Sequence, residues 1–484
     1  MKNLHKMVRM SMIIVFVAGS VECAAAPEPS DLDALYTRTA GAYAPKSKYG
    51  KPQRNPVIVI PGLLGSRLID PETDTVVWGA FSGKYADPSK KNGARLAALP
   101  MQEGVPLKDL KDSVVPGGAL ARLDLKLFVI PIRLNAYYNI LKILGVGGYR
   151  DEDIGKSGTV KYPEGHFTSF QFDYDWRRDI VENAKLLDKF IEEHKAYVQQ
   201  EVEQRYGIKD YEVKFDIVAH SMGGLLARYY LRYGGEDLPE NGAAPRTTWA
   251  GTKYVNKLVI ISTPNAGSIS SFKVLVEGLN NPMLPKYSPA ILGTMPAMYE
   301  LMPQARHKAL IDKNAPDGEP LDIYDPALWE EMKWGLASPE QNKELEILLP
   351  DIKDPADRKR IALDHQRKCL ARAKKFWEAL DAAADPPNSV SFALFTGDAI
   401  DTDAVVGIDR KKGTFEVIRK APGDGTVLRS SALMDERIGG TWTPKLISPI
   451  KWGQVMFIFS DHVGITKDPH FADNLLYYLL EHPD

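Results

Sequence analysis

Cysteine is almost absent from this chain: among 484 residues there are only two, Cys23 and Cys369. Neither belongs to a Cys/His pattern with metal-binding spacing, so the sequence implies no metal site and no disulfide framework. A chain this long can bury a large core and has no need of such staples. An excess of charge is missing as well. The 61 basic and 63 acidic side chains leave a net charge of −2, and no basic stripe is interleaved with aromatics, which argues against a nucleic-acid partner. No internal repeat and no low-complexity tract is present. Nor is there an apolar run near the roughly 20 residues that a membrane-spanning helix needs.

What remains is an ordinary globular composition, 44% hydrophobic and 26% charged. Its length allows a core plus an insertion. Lys2, Lys6 and Arg9 precede the apolar run Met10–Ala18, and small residues follow to Ala26. This order reads as a signal peptide over 1–25, implying a secreted or periplasmic protein. Anchoring as a lipoprotein through Cys23 is disfavoured by the adjoining Glu22. If the signal is removed beyond Cys23, Cys369 is left as a single thiol.

The most informative stretch is Phe215–Tyr230, which reads FDIVAHSMGGLLARYY. It begins as a buried strand, turns through small residues around Ser221 and continues as an amphipathic helix. A serine on so sharp a strand-to-helix turn is a nucleophile elbow. Its neighbours must be small for the two elements to approach, and Ala219 and Gly223 stand at the two flanking positions. The turn also sets Ser221 just before a helix N-terminus, where free N–H groups favour developing negative charge.

Apolar strands at Pro56–Ile60, Lys257–Ser262, Val390–Gly397 and Val455–Ser460 alternate with helical text, notably Ile180–Tyr206. Another strand ends within Phe167–Arg177. This alternation predicts a mostly parallel, doubly wound α/β sheet, with ligand-binding loops at the carboxyl ends of its strands. We divide the chain into a first core part at 26–266, a cap insertion at 267–387 and a second core part at 388–484. Within the first part, 70–116 reads as a loop with exposed aromatics at Trp78, Phe81 and Tyr85. In the cap, the helix from Asp354 onward sets Arg358, Lys359, Arg367, Lys368, Lys374 and Lys375 on one face, which reads as solvated. A hairpin excursion follows Gly397.

An elbow serine needs a base, an acid and an oxyanion hole. His462 directly follows the last strand, the place for a base. His470 and His482 are its rivals, and His220 should point away from its neighbour Ser221. For the acid, Asp398, Asp401, Asp403 and Asp424 all remain open, while Asp216 should pair inside the structure. The Met222 amide supplies one oxyanion donor, and the Gly62-Leu63-Leu64-Gly65 turn is the source of the second.

Taken together, PVIVIPGLLGS at Pro56–Ser66, YDWR at Tyr174–Arg177, AHSMG at Ala219–Gly223, STPNAGS at Ser262–Ser268, GDGTV at Gly423–Val427 and His462 resemble the lecithin:cholesterol acyltransferase family. That family also contains phospholipid:diacylglycerol acyltransferases and a lysosomal phospholipase with transacylase activity. The resemblance implies an α/β-hydrolase fold with an inserted cap or lid. It implies Ser221 as nucleophile, Asp424 as acid, His462 as base, and the Leu64 and Met222 amides as oxyanion hole. It further implies a phospholipid or other glycerolipid ester as substrate, no cofactor, and a peripheral contact with a membrane or lipid particle through a docking loop at 70–116. The acyl group would pass to an alcohol or to water. A plain lipase or carboxylesterase, and a catalytically silent lipid-binding protein, are the alternatives.

Overall fold

The computed structural model describes residues 54–481, apart from short stretches at 81–82, 120–122, 128–129, 135–136, 163–164, 240–242, 244, 281–283, 317 and 438–447. The expected signal peptide with Cys23, the segment up to 53, Phe81 and His482 lie outside the described residues.

Six parallel strands form the centre: β1 (Val57–Ile60), β2 (Ser169–Gln171), β3 (Phe215–His220), β4 (Val255–Ile261), β5 (Ser391–Gly397) and β6 (Gln454–Ile458). Their spatial order is β6-β5-β4-β3-β1-β2. The register aligns Ile60 with Ala219, His220 with Ile261, and Ile261 with Phe395. The carboxyl ends of these strands therefore share one rim.

Alternation along the strands sends successive side chains to opposite faces. On one face Val57, Val59, Val218, Val259, Ile261 and Phe395 pack with helices α1 (Tyr138–Val146) and α6 (Pro469–Leu480). On the other, Ile58, Ile60, Ile217, Leu258, Ile260 and Leu394 pack against α2 (Ile180–Tyr206), α3 (Met222–Tyr233) and α5 (Pro355–Asp381). On β1, β3, β4 and β5 both faces are covered, which is why these strands read as continuous apolar runs, whereas the edge strand β6 leaves Val455 and Phe457 exposed. This is the α/β-hydrolase arrangement, and β6 has the same direction as the rest.

Local signals set the helix ends. The Asp179 carboxylate caps α2 by accepting from the Val181 amide at 2.7 Å, and Gly207 closes it in the left-handed region at φ 69°. Asp354 caps α5 in the same way. Between β4 and β5 lie α4 (Ile269–Glu277), several short helices and α5. Three of the cations of α5 meet carboxylates: Arg367 reaches Glu330 at 2.7 Å, Lys374 reaches Asp322 at 2.9 Å and Lys368 reaches Asp364 at 2.7 Å, while Lys359 donates to the Leu336 carbonyl at 3.0 Å. A hairpin of Ile400–Asp409 and Thr414–Gly423 then leads straight into Asp424.

Residues 70–116 depart from the loop expected there. They contain a strand at Thr75–Trp78, a helix at Lys91–Ala97 and a further strand beginning at Val115. Trp78 is also buried rather than exposed. Its ring meets Trp176 edge-on at 5.6 Å, lies 6.0 Å from Tyr287, and its indole N–H donates to the Leu64 carbonyl at 2.8 Å. Tyr85 is half-buried. Partners from distant parts of the chain bury the indole, and no local pattern announces them.

Candidate active site

Ser221 stands between β3 and α3 with φ 52° and ψ −125°. A residue other than glycine in that region carries strain of about 1–3 kcal/mol, held only where the surroundings leave no alternative. The surroundings here are tight. A Cβ added to Gly223 would come within 2.5 Å of the Pro61 carbonyl oxygen, and one added to Gly62 within 2.7 Å of the Ser221 Cβ. Ala219 lies in β3 with its methyl buried and needs no glycine. The Thr263 hydroxyl donates to the Ser221 carbonyl at 2.7 Å and holds the turn from the neighbouring strand end.

The structure brings Ser221, His462 and Asp424 into one row. His462 Nε2 lies 3.0 Å from the Ser221 hydroxyl, and Nδ1 lies 2.8 Å from Asp424 Oδ2. The other carboxylate oxygen of Asp424 accepts from the Thr426 and Val427 amides at 3.0 and 2.7 Å. The His462 amide in turn donates to the Asp424 carbonyl at 3.0 Å. With the carboxylate accepting at Nδ1–H, Nε2 is left to accept the serine proton. All three side chains are buried.

The other acids lie elsewhere. Asp398 pairs with Arg429 at 3.3 Å, and Asp403 with Lys273 at 2.8 Å. Asp401 is exposed. Asp216 accepts from Asn55 at 3.1 Å within the structure. Among the histidines, His470 is exposed beside Asp468.

Met222 follows Ser221 directly at the start of α3, and Leu64 lines the same cleft as Ser221. Among the described residues, neither the Leu64 N–H nor the Met222 N–H has a hydrogen-bond partner. Leu64 adopts φ 64°, and its turn is fixed by the Tyr174-Asp-Trp-Arg segment. The Tyr174 hydroxyl donates to the Pro61 carbonyl at 2.7 Å, and the Trp176 indole to the Ser66 carbonyl at 3.1 Å. The Ser262–Ser268 loop plays a similar part for the turn after Asp424: the Ser268 hydroxyl donates to the Thr426 carbonyl.

Two residues were missed in the sequence. His220 does not merely point away: its Nε2–H donates to the His462 carbonyl at 3.0 Å, while Nδ1 accepts from the Tyr137 hydroxyl at 3.2 Å. That hydroxyl itself accepts from the Gly62 amide at 2.7 Å. Burial, with the neighbouring His462 ring, lowers His220 to about 3, so it stays neutral. No motif surrounds Tyr137, and nothing local could have nominated it.

Beside Ser221 opens an apolar cleft lined by Leu63, Val274, Leu279, Leu292, Met298 and Leu301, with free space of about 30 Å³. Among the described residues, no group of three or more His, Cys, Asp or Glu side chains could hold a metal ion.

Residues 164–344 match the model of the lecithin:cholesterol acyltransferase family. The family resemblance therefore stands. The matched span takes in Tyr174–Arg177, Ser221 and Ser262–Ser268 and stops short of Asp424 and His462. No curated protein matches the chain. Among solved structures, the crystal structure of the Tle4-Tli4 complex is similar with a TM-score of 0.51 at 17% identity, over 88% of this chain and 98% of that one. EstA from Clostridium botulinum aligns with a TM-score of 0.30 at 14% identity, over 95% of this chain and all of that one (100%). The first of these likenesses is one of fold. Among the described residues, no helix is long and apolar enough to cross a membrane.

Proposed function

We propose that this chain is a serine-dependent lipid acyltransferase or phospholipase that cleaves a glycerolipid ester through an acyl-enzyme. The observation that carries the reading is the His462 imidazole held between the Ser221 hydroxyl and the Asp424 carboxylate at 3.0 and 2.8 Å. The match to the lecithin:cholesterol acyltransferase family supports the lipid ester as substrate class.

In the first step His462 Nε2 takes the Ser221 proton as the serine oxygen attacks the ester carbonyl. Asp424 holds the imidazole tautomer and stabilises its positive charge. The Leu64 and Met222 amides donate to the oxyanion, each worth about a hundredfold in rate or more. Collapse releases the lyso-lipid with the proton from His462. An alcohol or water then attacks the acyl-enzyme by the reverse route, again with His462 as base. The apolar cleft beside Ser221 suits the acyl chain.

Export through the segment 1–25 and peripheral contact with a lipid surface through 70–116 belong to the same reading. The first is supported by Lys2, Lys6 and Arg9 ahead of the apolar run. Trp78, being buried, is not the anchor of the second.

The test is labelling with a fluorophosphonate probe, followed by product analysis on mixed phospholipid and alcohol. Wild-type protein should label at Ser221 and release lyso-lipid, and Ser221→Ala should do neither. Folded wild-type protein that fails to label, or a Ser221→Ala protein that turns over phospholipid at the wild-type rate, would overturn the reading. Acyl-alcohol among the products identifies a transferase, and fatty acid alone a hydrolase.

A further inference from the structure

Helix α3 carries two arginines one turn apart, Arg228 and Arg232, about two and three turns from Ser221. Both are more than nine-tenths buried. A buried guanidinium is normally balanced by a carboxylate. Among the described residues, neither of these forms an ion pair with one, although the Asp381 charge acts on Arg228 from a distance. Arg228 donates to the Asn265 side-chain oxygen at 3.0 Å and touches the Met434 sulfur at 3.9 Å. Arg232 donates to the Thr247 hydroxyl and the Ala382 carbonyl, and its guanidinium lies 5.2 Å from the Trp249 ring. Burial and the neighbouring Arg232 lower the Arg228 guanidinium to about 9, the direction expected of a cation short of a counterion.

Both arginines line a cavity of about 580 Å³. It sits at the opposite end of the sheet from Ser221, because its wall includes Phe392 at the start of β5, Trp249 shortly before β4 and Ile450 shortly before β6. The wall's four cations outnumber its three carboxylates, Asp381, Asp385 and Glu436, by one, and those carboxylates are held by the other two cations. Arg306 reaches Asp381 at 2.8 Å and Glu436 at 3.1 Å, and Lys451 reaches Asp385 at 3.0 Å. Two buried donors also lack acceptors, Nε of Arg232 and Nε1 of Trp249. The cavity thus offers uncompensated positive charge and unused N–H groups at one end. Leu380, Phe392, Pro449 and Ile450 supply apolar wall.

We infer that this cavity is a second binding site, separate from the cleft at Ser221, for an oxyanion joined to an apolar body: a carboxylate or phosphate carrying an aliphatic chain. The oxyanion would accept from Arg228, Arg232 and the Trp249 indole, which satisfies the unused donors and supplies the missing charge. The chain would lie along the apolar wall.

Calorimetric titration of the full-length Ser221→Ala protein with decanoate, decyl phosphate, decanol and inorganic phosphate tests this. Decanol, which has no charge, controls for apolar binding at the catalytic cleft. The expected result is saturable binding of decanoate or decyl phosphate. Decanol and inorganic phosphate should be at least tenfold weaker. Arg232→Gln should weaken the anionic amphiphile about tenfold or more, the usual loss for a charge-assisted hydrogen bond. Should that variant fail to melt cooperatively, Trp249→Phe removes only the indole donor and should weaken binding severalfold. If decanoate and decyl phosphate do not bind, or bind a folded variant as tightly as the parent, the site does not exist. If inorganic phosphate binds as tightly as decyl phosphate, the apolar half of the inference fails. The preferred head group, carboxylate or phosphate, identifies the source of the ligand.

Discussion

The imidazole of His220 donates to the backbone carbonyl of His462 at 3.0 Å. Through Tyr137 the same ring is tied to the Gly62 amide. One chain of three hydrogen bonds thus joins the Gly62–Gly65 turn, the residue before Ser221 and the backbone of the proposed base. It fixes relative position without touching the reacting atoms. His220→Leu should therefore lower kcat about tenfold or more while KM stays close to wild type. His220→Gln, whose amide can still donate to the carbonyl, should recover part of the loss. Equal kcat losses for both variants would show that the ring acts through packing instead.

Gly62 sits closer to Ser221 than any side chain could. A Cβ at that position would approach the serine Cβ to 2.7 Å and its hydroxyl oxygen to 3.3 Å. Gly62→Ala should push the hydroxyl away from His462 and cut the rate of fluorophosphonate labelling by about a hundredfold, comparable to loss of an oxyanion donor. Gly104, at φ 71°, has nothing within 4 Å of its added Cβ. Gly104→Ala should leave labelling unchanged, and a similar loss in both variants would count against the steric account.

Much of this arrangement could be read from the chain itself. Continuous apolar runs announced β1, β3, β4 and β5 because both faces of those strands are buried, and announced the edge strand β6 although it leaves Val455 and Phe457 exposed. Caps such as Asp179 and Gly207 marked helix ends because the orphan groups they satisfy are local. Ser221 and His462 were legible from their places after strands. The acid was not legible from topology, because Asp398 and Asp424 both follow core text; the resemblance at Gly423–Val427 pointed to Asp424, which lies 2.8 Å from His462, while Asp398 pairs with Arg429. Tyr137, His220 and Trp78 were misread or missed because their partners lie far away in sequence. Trp78, for instance, is buried by Trp176 and Tyr287. Periodicity reports a residue's own element and says nothing of such long-range neighbours.

The cleft beside Ser221 holds free space of only about 30 Å³, and eight aliphatic or Met side chains line it. An acyl chain must therefore displace those side chains, and Met298 and Leu292 are the obvious ones to trim. Met298→Ala should raise the ratio of kcat/KM for a dodecanoyl ester over a butanoyl ester by about tenfold, in line with what a few methylenes contribute in an apolar pocket. An unchanged ratio in the folded variant would place the chain elsewhere.

Asp151 joins α1 to β2 from a buried position. Its carboxyl accepts from Gln171 at 2.7 Å, from the Ile154 amide at 3.1 Å and from Ser169 at 3.2 Å. Burial nevertheless raises it to about 7. Between the ordinary carboxyl value of 3.8 and about 7 the folded chain holds a proton that the unfolded chain has released. Stability from this group is therefore greatest in acid and falls as pH rises through that window, levelling off above it. Asp151→Asn keeps an acceptor for Gln171 and the helix cap but cannot ionise. It should match wild type near pH 4 and exceed it above pH 8 by on the order of 2–4 kcal/mol. Urea melts of both proteins at the two pH values measure this directly. A variant less stable than wild type above pH 8 would mean that the ionised carboxylate strengthens its three hydrogen bonds by more than its burial costs.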